Sequence, residues 1–324
     1  MTALRIAPGV PGTRILGIGS AQPERVVTND DLSKVMDTND EWIRERVGIA
    51  ERRFGGEKDT VVSMAVEAGS KAIAAAGLTP SDVDTVIVAN CTTIAPIPNA
   101  AAQVADLIGM KAAGGFDLNA ACAGFCYALG IASDLVRSGS STRTLVIGSE
   151  KLTDIVDPTD RSTAIIFADA AGAAVVGAAD EPGIGPVAWG TAGDLVDMIG
   201  MTEEAKIFQE GQSVFRWATT KIAPIAMQAL DLAGLKPADI DVLIPHQANL
   251  RIVEAIAKKL RKEGAREDMV VADDIVTSGN TSSASIPMAM DHMRAAGRIN
   301  SGDVALLVGF GAGLSYAGQV VVCP

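Results

Sequence analysis

Four short segments, Val83–Ala89, Thr144–Gly148, Asp241–Ile244 and Val304–Gly309, are dominated by Val, Ile and Leu. None alternates apolar with polar positions, as a strand with one wet face would. The pattern predicts strands buried on both faces, under helices that cover each side of a sheet. A fifth apolar stretch, Gly115–Leu118, runs into the longest uncharged run of the chain, the 16 residues Leu118–Ser133. This run predicts a helix with no charge before Asp134, buried on all sides. It includes Asn119, Ser133 and two glycines, and is too short and too polar for a membrane span.

The pattern also repeats. Ala76–Ile87 matches Ala233–Ile244 at seven of twelve positions. Each reads as a helix end stopped by Gly, a Pro-containing turn and a buried strand. Thr144–Gly148 resembles Ala305–Gly309, and Ala171–Val176 resembles Ala317–Val322, in the same order. The chain therefore reads as a duplicated α/β unit of roughly 150 residues, not a short-period solenoid. Two halves, 1–180 and 181–324, are expected, packed with helices between their sheets. By this correspondence Ala89 aligns with Pro245-His246, and Cys122 with Asn280 at the end of Ile275–Asn280. Ligands of such sheets gather beyond strand C-termini, so Cys122, His246 and Asn280, each expected at a strand end, can meet around one pocket.

Composition narrows the classes. With 324 residues and 48% hydrophobic content the chain can bury a large core. It carries 27 Lys and Arg against 39 Asp and Glu, a net charge of −12, and only 4% aromatics. Nucleic-acid binding is not expected of such a chain, because phosphate neutralisation needs clustered cations. No basic and then apolar leader opens the sequence, so no signal peptide is expected. The cysteines Cys91, Cys122, Cys126 and Cys323 form no Cys-x-x-Cys pair and have no histidine at ligand spacing, which argues against zinc. Four free thiols in a reducing cytoplasm are expected. Neither a metal nor a cofactor is expected.

Cys122 would sit in the first turn of the uncharged helix, where free N–H groups and the macrodipole favour a thiolate. The alternative is an inert core thiol, the role assigned to Cys126 one turn later. His246, in Pro245-His-Gln-Ala-Asn249, is either functional or a satisfied core histidine. His292, on an expected helix, reads as an ordinary partly exposed side chain. Asn280 alone reads as a turn residue. Gly17-Ile-Gly19 fails as a dinucleotide loop, since Gln22 stands where the third glycine belongs. Gly309–Gly313 is a tight glycine turn able to bring a backbone N–H close to a substrate.

Together these residues resemble the β-ketoacyl-acyl-carrier-protein synthase III family of the thiolase superfamily. The resemblance rests on Thr38–Ile43, Gly48-Ile49 with Glu51-Arg-Arg53, Ala120-Ala-Cys-Ala-Gly124, Asp157–Arg161, Val214-Phe215, Pro245–Asn249, Gly279–Ser282 and Gly309–Gly311. These segments occur in family order and span nearly the whole chain. The resemblance implies a five-layered αβαβα thiolase-like fold from two duplicated halves, usually as a homodimer. It implies an acyltransferase that condenses an acyl-CoA starter with malonyl-acyl carrier protein, initiating type II fatty-acid or polyketide synthesis. Cys122 would carry the acyl group, His246 and Asn280 would stabilise the enolate, and the N–H groups of Cys122 and Ala312 would hold the oxyanion.

It further implies CoA contacts at Trp42, Arg46 and Arg161, with Gly211, Asn249 and Phe310 along the substrate channel, and an acyl pocket involving Ile97 and Phe167. Carrier-protein docking would fall on Gln247, Arg251, Lys258 and Lys259. Arg251–Lys262 has five cations against Glu254, a local excess suited to steering an acidic partner. Cations at a helix C-terminus also complement its dipole.

Three features depart from the family pattern. Ala168 and Ala170 replace glycines in Phe167–Gly172, which predicts a reshaped loop. The stretch 190–209 looks short, so a cap over the channel is expected to be trimmed. Ile97 stands where acetyl-selective members carry a large aromatic that crosses the dimer interface, which predicts acceptance of branched or longer acyl groups. The rival readings are a pathway-specific starter enzyme or plain acyltransferase, a non-catalytic partner subunit and a papain-like hydrolase. The intact Cys122, His246 and Asn280 set argues against a non-catalytic subunit, and their order and surroundings against a papain-like hydrolase.

Overall fold

The computed structural model describes residues 7–324. Its first sheet is built from β1 (Gly12–Ala21), β2 (Thr85–Ala89), β3 (Gly114–Leu118), β4 (Arg143–Lys151) and β5 (Asp169–Ala179). The second is built from β6 (Ala188–Thr191), β7 (Val242–Pro245), β8 (Val270–Val271), β9 (Val304–Gly311) and β10 (Ser315–Val322). The spatial orders are β1-β5-β4-β2-β3 and β6-β10-β9-β7-β8, the same order twice. Pairing also matches: the two strands at the start of each order run antiparallel to their neighbours, and the last three are mutually parallel. The helices that follow equivalent strands correspond as well. These are α2 (Val61–Ala75), α3 (Ala100–Ile108) and α4 (Gly124–Arg137) in the first sheet's unit. In the second they are α5 (Gly211–Ala233), α6 (Leu250–Lys262) and α7 (Ser285–Ala295). A further helix, α1 (Asp40–Val47), lies between β1 and α2.

Five layers result. Phe125, Leu129, Ile286 and Met290 of α4 and α7 fill a core between the sheets, against Ile87 and Val146 on one side and Ile244 and Leu307 on the other. Helices α2 and α3 cover the outer face of the first sheet, and α5 and α6 that of the second. Burial on both faces explains the unbroken Val/Ile/Leu runs. Full burial of Leu129 and Leu145, each completely shielded, is worth about 1.5–3 kcal/mol per side chain.

The duplicated segment folds the same way in both places. Helix α2 ends before Gly77 (φ +68°) and α5 before Gly234 (φ +70°), left-handed positions that favour glycine. A short 3₁₀ turn follows at Pro80–Asp82 and at Pro237–Asp239. Asp82 accepts from the Thr79 N–H at 2.8 Å, and Asp239 from the Lys236 N–H at 2.7 Å.

Two expectations need correction. Asn280 does not end a strand: β8 is only two residues long, and Ile275–Ser278 forms one helical turn before it. Gln247 Oε1 accepts the Ile275 N–H at 3.1 Å and so fixes that turn. Ala168 and Ala170 do not lie in a loop: Ala170 is within β5 and Ala168 directly precedes it. Neither has positive φ; the Ala168 N–H donates to Asn280 O at 2.9 Å, and Ala170 packs on Ala284 and Met288.

Candidate active site

Cys122, His246 and Asn280 line one cavity of about 710 Å³ at the C-terminal ends of the central strands. Cys122 lies in a 3₁₀ turn, Ala121–Ala123, between β3 and α4. Ala121 is left-handed at φ +46°, a strained value for a residue with a Cβ, and it turns the chain sharply at the cysteine. The end of β9 presses on this turn. A Cβ added to Gly311 would lie 2.7 Å from Cys122 N and 3.1 Å from Cys122 Sγ, so only glycine fits there.

The electrostatics at Cys122 differ from the sequence expectation. Burial pushes its thiol from 9.0 up to about 12, against weaker hydrogen bonds from Ser282 and its own backbone N–H, and the Glu150 charge adds to the rise. A helix N-terminus offers at most about 2 kcal/mol, too little to offset a rise of that size. The resting group is a thiol.

His246 follows β7 and is 2% exposed. Its Nδ1 is 2.7 Å from Ser285 Oγ at the start of α7, and its ring meets Phe310 edge-on with centroids 5.3 Å apart. Burial pushes its pKa down from 6.5 to about 3, so the imidazole is neutral. The Gln247 N–H points at Ser285 Oγ at 3.4 Å, which favours Ser285 donating to Nδ1 and leaves the ring proton on Nε2. Asn280 is bridged to Phe167 through backbone bonds. Its Oδ1 accepts the Ser282 N–H at 2.9 Å, so its Nδ2 is the group left to donate.

Phe167, Phe310 and Ala312 also line this cavity. Toward its mouth stand Trp42 and Arg46 of α1 and Arg161, whose guanidinium carbons lie 4.8 Å (Arg46) and 5.0 Å (Arg161) from the Trp42 ring centroid. Arg161 therefore stacks on the tryptophan itself, and a planar ligand between them requires Arg161 to swing out. Gly211, Asn249 and Arg251 line the same mouth. Asn249 caps α6 by accepting the Arg251 N–H and donates to Arg46 O at 3.2 Å. The Arg251 guanidinium lies 5.1 Å from the Phe215 centroid. The hairpin Ile199–Met201 with Ile207–Gln209 contributes Ile199 and Ile207 to the lining.

Other expected residues fall elsewhere. Gln247 is 1% exposed and donates to Pro245 O at 2.8 Å, so it cannot offer a docking surface; its amide is consumed in holding β7 to the turn before Asn280. Lys258 is exposed and Lys259 half-buried on α6, and neither reaches the cavity. Ile97 is 86% exposed and does not line the cavity of its own chain. Sequence reasoning passed over Ser285, which orients His246, and Glu150, a completely buried carboxylate against the same site. A charge two residues after the apolar run Leu145–Gly148 was the available signal for Glu150.

All four cysteines are free. Among the described residues no group of three or more His, Cys, Asp or Glu side chains is placed to hold a metal, and no helix is long and apolar enough to cross a membrane.

A duplicated five-layered fold with Cys, His and Asn converging on one deep cavity defines the chain as a thiolase-like condensing enzyme. Family models described as 3-oxoacyl-[acyl-carrier-protein] synthase III and its C-terminal part match residues 116–193 and 230–323. A β-ketoacyl-[acyl-carrier-protein] synthase III of Streptomyces coelicolor is 51% identical over 97% of this chain and 99% of its own length. A synthase III of Streptomyces glaucescens is 46% identical over the full length of both. Among solved structures, a priming β-ketosynthase from a polyketide biosynthetic pathway superposes with a TM-score of 0.95, at 41% identity over 100% of this chain and 99% of that one. The synthase III of Aquifex aeolicus gives 0.91 at 37% identity over 96% of this chain and 100% of that one. The chain belongs to the 3-oxoacyl-[acyl-carrier-protein] synthase III family and is a condensing acyltransferase.

Proposed function

We propose that Cys122 takes an acyl group from an acyl-CoA and passes it to a malonyl-acyl carrier protein with loss of CO₂. In the first half-reaction the Cys122 thiol gives up its proton as its sulfur attacks the acyl thioester, and the departing CoA thiolate takes up a proton, so the exchange of thiol for thioester is proton-neutral. In the second, the bond between the malonyl carboxylate and its α-carbon breaks, releasing CO₂ and an enolate. The enolate carbon attacks the acyl-cysteine carbonyl, and the tetrahedral intermediate expels Cys122 as thiolate. His246 Nε2–H and Asn280 Nδ2 donate to the enolate oxygen, and the N–H groups of Cys122 and Ala312 hold the oxyanion.

One observation carries this reading: the imidazole that shares the cavity with Cys122 is neutral and oriented by Ser285, with the amide of Asn280 in the same cavity. Neutral donors stabilise an enolate without protonating its carbon, and each such donor is worth about 3 kcal/mol. Trp42, Arg46 and Arg161 at the mouth suit the adenine end of CoA, with Gly211, Asn249 and Phe310 along the chain of the substrate. Arg251, Lys258 and Lys259 provide a cationic approach for an acidic carrier protein.

We read the working unit as a cytoplasmic homodimer of two-unit chains, divided near residue 180, that needs no cofactor. The edge position of β3 and the exposed Ile94, Ile97, Leu107 and Phe116 support a second copy on that face. There Ile97 would complete the partner's acyl pocket against Phe167 and favour branched or longer starters. Intact-mass measurement with a panel of acyl-CoAs tests the scheme. One acyl group should appear and vanish in Cys122→Ala; an adduct that persists there overturns the nucleophile. A plain acyltransferase would load the acyl group but release no CO₂ from malonyl-carrier protein, and a strong acetyl-CoA preference would sink the assignment of starter size.

A further inference from the structure

Glu150 is the next-to-last residue of β4, its carboxyl group completely buried against the turn that carries Asn280. Hydrogen bonds converge on it from two loops. Oε2 accepts from the Cys91 N–H at 3.0 Å and from Thr92 Oγ1 at 2.8 Å. Oε1 accepts from Ser282 Oγ at 3.0 Å and Cys91 Sγ at 3.4 Å, and Ser283 Oγ, whose one proton is shared between Glu150 Oε1 at 2.8 Å and Ala89 O at 2.9 Å, also faces it. None of the ion pairs among the described residues includes it. Burial holds the carboxyl above its ordinary value, despite hydrogen bonds from Cys91, Thr92, Ser283 and Ser282 that lower it. Burying a carboxylate without a cation is costly, and as filling for a core it is inferior to an apolar side chain.

The geometry connects this carboxyl group to the reacting groups. Ser282 is left-handed at φ +52°, a strained value for a residue with a Cβ. Its hydroxyl is tied to Glu150, and its N–H donates to Asn280 Oδ1 at 2.9 Å. Were that N–H to turn away, the Asn280 amide could flip and offer its oxygen to the cavity, where an enolate needs a donor. We propose that Glu150 is a positioning residue that anchors Ser282 and Ser283 so that Asn280 presents its amide hydrogens to the reacting malonyl thioester. The inference rests on the proposed role of Asn280. It assigns Glu150 no contact with substrate. It also predicts a split between the half-reactions, because the Glu150 charge raises the Cys122 thiol and opposes the first of them.

The test separates acyl loading from CO₂ release in the full-length enzyme. Glu150→Gln should load acyl from acyl-CoA at the wild-type rate or faster, while CO₂ release by the loaded enzyme falls about tenfold or more. The double variant Glu150→Gln/Asn280→Ala should be no slower in CO₂ release than Asn280→Ala alone, since both act through one amide. Should Glu150→Gln fail to fold, Ser283→Ala removes one tether and leaves the charge in place; its ratio of CO₂ release to loading should drop about threefold or more. Equal loss of both half-reactions, or additive effects in the double variant, would overturn the positioning role alone. Undiminished CO₂ release in Asn280→Ala would instead overturn the role of Asn280, and that of Glu150 with it.

Discussion

Gly311→Ala probes how closely the end of β9 must approach the Cys122 turn. The added Cβ would meet Cys122 N at 2.7 Å, Cys122 Cβ at 2.8 Å and Cys122 Sγ at 3.1 Å. Ordinary contact begins at 3.4 Å, so the backbone nitrogen alone must retreat by about 0.7 Å. No flexible side-chain end stands there to give way: two of the three atoms belong to the turn's backbone or Cβ. Overpacking of this kind costs about 1–3 kcal/mol of stability, which a large core tolerates. On the proposed role of Cys122, displacing its sulfur and its N–H by most of an ångström costs about a hundredfold in rate. The expected variant is folded, with Cys122 acylation from acyl-CoA slowed about 30- to 100-fold when followed by intact mass. Gly193→Ala is the control, because a Cβ there meets nothing within 4 Å and its φ is not positive. A Gly311→Ala enzyme that loads acyl groups within threefold of wild type would refute the steric argument.

Four further outcomes follow from the same structure. With its thiol near 12, Cys122 should show iodoacetamide alkylation that climbs about tenfold per pH unit from pH 6 to 9, and a plateau below pH 8 would mean that a neighbour overrides burial. His246 is depressed from 6.5 to about 3, so the unfolded chain binds its proton first; its contribution to stability falls as pH drops from 6.5 toward 3. Urea unfolding of wild type and His246→Gln should then converge on acidification, and a gap that widens would contradict the buried neutral ring. His292 has the opposite sign: Asp274, with Oδ1 2.7 Å from Nδ1, raises it. Its pairing stabilises fully below pH 6.5 and is lost as pH rises through the folded value, so His292→Gln should cost more at pH 6 than at pH 9 in the same assay. Arg161→Ala should raise KM for acyl-CoA several-fold, about 1 kcal/mol of binding, with kcat nearly unchanged; a drop in kcat alone would remove Arg161 from CoA binding.

Much of the scaffold is legible in the chain because its causes are local or periodic. The Val/Ile/Leu runs became central strands, and the repeat around Ala76 and Ala233 became two helix stops, two 3₁₀ turns and two strands of one geometry. Glycine at φ near +70° and an aspartate accepting from its own turn are enough to write that segment twice. Less could be read where distant chain segments set the conformation. Asn280 follows a helical turn because the amide of Gln247, 28 residues away, holds Ile275; the same contact removes Gln247 from the surface. Ala168 and Ala170 are accommodated because their partners, Asn280 O, Ala284 and Met288, lie in the other half.

The sequence by itself determined that two similar α/β units with strands buried on both faces would form, and that Cys122 and His246 would follow strand ends. Short-range sterics and hydrophobic period carry that information within a few residues. Only the tertiary structure decided the chemical state of those groups. Burial between two sheets makes Cys122 a resting thiol and His246 a neutral ring, reversing what a helix N-terminus alone would suggest. Such energies depend on how much water the whole fold excludes and on which partners, such as Glu150 and Ser285, arrive from elsewhere in the chain. No local pattern encodes that exclusion.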